Sequence, residues 1–146
     1  MGQQASFNEN AYVGSKLKEF EDVSKRMEQA LTNVNNEAKQ NQFWRDLLSR
    51  ETVLTPALQE QFKELERKEI LLAPKVQILN RLYGELNVLE SEALETHRRY
   101  ASDVALYRKH PTDIQKGHAQ ALRVNAQGID NRLRSLVQTF RDTKRC

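Results

Sequence analysis

From Val13 onward the apolar residues return every three or four positions, at 13, 17, 20, 23, 27, 31, 34 and 38, with polar residues such as Glu19, Glu21, Asp22, Lys25 and Arg26 between them. Spacings of three and four place these side chains in one stripe along a helix, close to a heptad pattern. The stripe loses register through Asn35-Asn36 and Lys39 to Gln42, then resumes off phase at Phe43, Trp44, Leu47 and Leu48. Such a slip is a stutter in a continuous helix or a short break. The pattern favours one helix over residues 12–51, about 60 Å long at 1.5 Å per residue.

Thr55-Pro56 is the first strong punctuation: Thr55 can cap a helix, and Pro56 suits its first position, where the missing N–H has no partner to lose. The next stripe runs 58, 62, 65, polar Glu69 and 72, meets Pro74, and continues through 76, 79, 82, 86, 89, 93, 100, 104 and 107. A proline inside a helix removes one hydrogen bond and crowds the preceding turn. Residues 56–109 are therefore two helices split at Ala73-Pro74 or one kinked helix. The full stripe ahead of Pro74 favours two. Thr112 or Asp113 can cap a last helix, whose stripe is Ile114, His118, Leu122, Ala126, Ile129, Leu133, Leu136 and Phe140. Gly117 and Gly128 weaken that helix by about 1 kcal/mol each relative to alanine.

These elements predict an all-α protein, an elongated bundle of three or four long helices with coiled-coil character. Residues 1–10 read as a flexible tail and 11–146 as one helical interaction domain. Composition agrees. The 146 residues include only 5 Gly and 3 Pro, too few for the turns of a sandwich, barrel or doubly wound sheet. The longest purely apolar run, Ile70 to Ala73, is far shorter than the ~20 residues of a membrane span. No basic stretch followed by an apolar run opens the chain, so no secretory signal is expected. The lone cysteine, Cys146, allows no disulfide within one chain and fits a reducing compartment.

The start does carry one motif. In Met1-Gly2-Gln3-Gln4-Ala5-Ser6, removal of Met1 exposes Gly2, and Ser6 stands where N-myristoylation favours Ser or Thr. One myristoyl chain binds membranes only marginally, so a second signal is needed. No Lys or Arg precedes Lys16 to supply it.

Charge rises along the chain: the net formal charge is +3, and residues 111–146 alone carry seven basic and three acidic side chains. Arg134, Arg141 and Arg145, at spacings of seven and four, fall along one side of the last helix. Without interleaved aromatics they suit an acidic protein or lipid surface better than nucleic acid. Phe43 and Trp44 sit at the register slip. They either fill the bundle there or stand out as an anchor for a partner, a role in which Trp is enriched.

Little points to catalysis. His97, His110 and His118 form no i, i+3 or i, i+4 pair, which argues against helical metal ligation, and no cofactor is expected. His118 lies on the last stripe, where a partly buried structural histidine is the expectation. Glu64, Glu66, Glu90, Glu92 and Glu95 read as solvated faces with i, i+4 pairs such as Glu64 with Lys68. No phosphate loop or nucleophile elbow is present.

The sequence therefore predicts a non-enzymatic scaffold: one subunit of a hetero-oligomeric coiled-coil complex in the cytoplasm, with Gly2 as a lipid site on the cytoplasmic face of a membrane. Small subunits of trafficking, tethering and organelle-positioning complexes share this style of architecture. The alternatives are a lipid-free structural subunit of a cytoskeletal, kinetochore-like or pore-like assembly, and a stand-alone adaptor that binds an acidic partner through residues 123–145.

Overall fold

The computed structural model describes residues 8–145 and contains three long helices: α1 (Glu9–Ser49), α2 (Pro56–Lys109) and α3 (Asp113–Arg145). Asn8 caps α1 by accepting the Ala11 amide at 3.1 Å, and Thr55 caps α2 by accepting from Leu58 at 3.3 Å. Thr112, rather than Asp113, caps α3: its hydroxyl accepts the Gln115 amide at 3.1 Å. Each cap satisfies an amide that has no partner within the first turn.

The expected division at Pro74 does not occur. α2 is one helix of 54 residues, on the order of 80 Å long. Pro74 deprives the Ile70 carbonyl of its usual amide donor, and both Pro74 and Ile70 are exposed, so water can replace it. The helices on either side of the proline stay in register because the same face of α2 packs on α1 before and after it.

α2 is the spine. α1 runs antiparallel along it, with Tyr12 beside His97, Glu28 beside Tyr83 and Asn41 beside Leu65. α3 also runs antiparallel to it, from Gln115 beside Asp103, past Arg132 beside Glu92, to Thr143 beside Pro74 and Ile78. α1 and α3 approach each other much less closely than either approaches α2.

The three helices are offset, and they overlap only over roughly 12–34, 75–100 and 126–143. There Phe20, Met27, Leu79, Leu82, Leu86 and Leu89 are fully buried, and Ile129, Leu133 and Phe140 close the cluster from α3. Each such side chain contributes roughly 1.5–3 kcal/mol through removal from water. Beyond the overlap the bundle thins to two helices at both ends. One arm pairs α1 38–49 with α2 56–72, and the other pairs α2 101–109 with α3 113–125. Ile114, at 77% exposure, and His118 are exposed although both belong to the predicted stripe: successive steps of four back from Ala126 rotate off the face that meets α2, and Gln115, Ala119 and Leu122 take the inward positions instead.

Candidate interaction surface

The inward face of α1 never changes register. Val34, Ala38, Asn41, Arg45 and Leu48 continue the stripe at spacings of four, three, four and three, and all five are buried or half-buried. What changes is their chemistry. Asn41 is buried, and its amide donates to the Leu65 carbonyl at 2.9 Å, while its Oδ1 has no partner. Arg45 pairs with Glu69 and lies 5.9 Å from the Phe62 ring centroid. Polar residues have taken core positions, and the aromatic residues have left them.

Phe43 and Trp44 accordingly do not fill the bundle. They are 58% and 54% exposed and meet edge to face, with ring centroids 5.6 Å apart. Leu47, Val53, Leu54, Ile70 and Leu71 are exposed on the same two-helix arm. Isolated surface apolars are ordinary, but a run of this kind around one end of a molecule marks an interaction surface. Trp44 opens onto a groove of about 910 Å³ between the two helices, floored by Leu48, Leu58 and Leu65.

Arg134, Arg141 and Arg145 are exposed on α3 and take part in none of the ion pairs seen among the described residues. Arg134 and Arg141 flank a shallow groove of about 380 Å³ with Leu133 and Val137. They lie on the three-helix body, whereas Phe43 and Trp44 belong to the arm, so the structure does not bring the predicted residues into one patch. Gly2 and Cys146 lie outside the described residues.

The sequence reading passed over a polar cluster that joins all three helices. The Tyr12 hydroxyl donates to His97 Nδ1 at 2.9 Å, and Lys16 Nζ pairs with Asp130 Oδ2 at 3.0 Å. His97 Nε2 faces Asp130 Oδ1 at 3.5 Å, too long for a full hydrogen bond, and neither atom has another partner. Burial of His97 pushes its pKa below the usual 6.5 against the upward pull of Asp130. Burial, reinforced by Asp130, pushes Tyr12 up to about 12. Tyr12 thus keeps its proton and His97 is neutral, and because the Asp130 carboxylate faces Nε2, the tautomer with its proton on Nε2 is favoured and Nδ1 accepts from Tyr12. A stripe drawn through 86, 89, 93 and 97 would have found His97. Following the apolar letters led to Tyr100 instead. The arrangement is that of a buried structural histidine, hydrogen-bonded at Nδ1 and without a full hydrogen bond at Nε2.

No group of three or more potential metal ligands exists among the described residues, and no helix is long and apolar enough to cross a membrane. Comparison with protein-family models, curated proteins and solved structures gives no match.

Proposed function

We propose that this chain is a non-enzymatic scaffold subunit of a hetero-oligomeric helical complex, held by coiled-coil-type packing against partner helices. The observation that carries this reading is the α1–α2 arm, where Phe43, Trp44 and Leu47 stand exposed beside an apolar groove lined by α1, α2 and the segment between them alone, and Ile70 and Leu71 are exposed where the arm meets the end of α3. Covering apolar surface of this kind is the main driving force of association between helical subunits. Arg134, Arg141 and Arg145, exposed and outside the ion pairs seen among the described residues, add a second, electrostatic surface for an acidic partner or an anionic membrane. Gly2 is the lipid site of this proposal, and it would place the complex on the cytoplasmic face of a membrane.

Two measurements on protein isolated from its native source test the reading. The complex is expected to run well above the 17.0 kDa of the chain and to contain other polypeptides. A free 17.0 kDa monomer in that extract overturns it. The mass of the N-terminal peptide tests the lipid. A myristoylated Gly2 supports the membrane placement, and a free one leaves a lipid-free complex.

A further inference from the structure

We infer that the groove between α1 and α2 on the arm is the seat of a partner's amphipathic helix with basic flanks, lying end to end with α3. This rests on the scaffold reading and names what its arm binds.

The argument is one of register. On α1, Lys16, Val23, Ala30, Glu37 and Trp44 are seven residues apart and share one face. Lys16 touches Asp130 of α3, and Val23 and Ala30 belong to the cluster with Ile129, Leu133 and Phe140. On α2, positions 57, 61, 64, 68, 71, 75, 78, 82, 85, 89 and 92 alternate spacings of four and three. The later members meet α3: Ile78 lies beside Thr139 and Thr143, Leu82 and Leu89 beside Leu136, and Glu92 pairs with Arg132. The earlier members, Ala57, Gln61 and Glu64, line the open groove with Trp44. The groove is therefore the same channel that holds α3, continued past the last turn of α3, and what fits the channel is a helix. Its floor short of the residues that border α3, α2 56–69, is about 20 Å long, room for a helix of about 14 residues.

Charge selects the kind of helix. Glu51, Glu60 and Glu64 line the groove beside Trp44 and no basic side chain does, although Glu64 also pairs with Arg67 along α2 and Lys68 and Lys75 follow on the same face toward α3. α3 shows how such a rim is used, by directing Arg132 to Glu92 at 2.7 Å. Lys or Arg flanking a Leu-type stripe is the complement.

Trp44 is the only tryptophan in the chain, so its fluorescence reports on the groove directly. The probes are two 18-residue helical peptides of identical amphipathic pattern, one of Leu and Lys and one of Leu and Glu, titrated into the full chain. The Leu–Lys peptide is expected to bind one to one, shift Trp44 emission to the blue and shield it from acrylamide. The Leu–Glu peptide is expected to bind at least tenfold more weakly. Glu60→Lys with Glu64→Lys, both exposed positions, should weaken the Leu–Lys peptide by tenfold or more without loss of helicity. Absence of a Trp44 response, or equal binding of both peptides, overturns the proposal. So does a concentration-dependent dimer with Trp44 already shielded, because a second copy would then be the occupant. A large native complex together with an unresponsive Trp44 removes this inference and leaves the scaffold reading standing.

Discussion

His97 is held between a phenol and a carboxylate at the point where α1, α2 and α3 meet, and its proton balance bears on the stability of that junction. Tyr12, Lys16 and Glu19 of α1 and Asp130 of α3 act on it, and Tyr100 of α2 packs against the Tyr12 ring. Burial disfavours the imidazolium and Lys16 repels it, while Asp130 and Glu19 favour it; the net result is a lowered pKa. The unfolded chain then takes up a proton near pH 6.5 that the folded chain resists. Stability is complete above that pH and is lost as pH falls below it. The urea midpoint is expected to drop between pH 7.5 and pH 5, and His97→Gln should flatten that dependence. The other two histidines remain in both proteins, so the difference reports on His97. A midpoint that rises on acidification would mean that Asp130 holds a charged imidazole. Tyr12 acts at the opposite end of the scale. Its pKa of about 12, against 10.0 for an ordinary phenol, means that the unfolded chain ionises first as pH rises. Tyr12→Phe removes the donor to a buried Nδ1 and is expected to destabilise the chain by about 1–2 kcal/mol in urea unfolding at pH 7.5.

At the scale of the element, the caps of α2 and α3 were written plainly in the sequence, because Thr55-Pro56 and Thr112 act through local bonds to the next turn, whereas Asn8, expected in a flexible tail, caps α1. Pro74 was not legible in the same way. Its local penalty is real, but the face it interrupts packs on α1 both before and after it, and tertiary packing overrides the local signal. α1 teaches a related point. Its apolar letters slip at Asn35 while its inward face does not, because Asn41 and Arg45 occupy core positions and bind Leu65 and Glu69 across the helix pair. Which of two registers is real depends on those cross-helix partners, and no spacing rule within α1 reveals them. Asn41 has an unsatisfied buried oxygen, so Asn41→Leu should raise stability by about 1 kcal/mol in thermal or urea unfolding. It should also loosen the pairing of α1 with α2, since a polar core residue fixes register at some expense of stability. In α3, a methyl group at Gly117 or Gly128 would meet nothing within 4 Å. Gly117→Ala and Gly128→Ala are each expected to add about 0.5–1 kcal/mol, and the two should be additive because they lie on the order of 16 Å apart.

For the whole molecule, the offset of the three helices decides where it is firm and where it can open. The fully buried side chains Phe20, Met27, Leu79, Leu82, Leu86, Leu89 and His97 lie in the three-helix overlap. Within the α1–α2 arm only Asn41 and Leu72 are buried, and the arm's other enclosed positions, such as Leu58, Phe62 and Leu65, are half-buried. A helix pair with one shared face has less apolar area to hold it closed than three helices around a common core, so local opening there requires less free energy. Amides of residues 40–49 and 60–70 should therefore exchange with deuterium faster than those of 20–34 and 79–97, and Leu82 and Leu86 should be among the slowest. The sequence hid this gradient because apolar positions recur along most of each helix; the difference arises from where one helix stops along another. The same exchange experiment distinguishes an open arm from a covered one. In the isolated chain the arm is expected to exchange fast, and in the native complex it should slow toward the rate of the body as a partner helix takes the place that α3 holds elsewhere. An arm already as slow as the body in the isolated chain would mean that copies of the chain cover one another there, and the groove beside Trp44 would have no vacancy for a different protein.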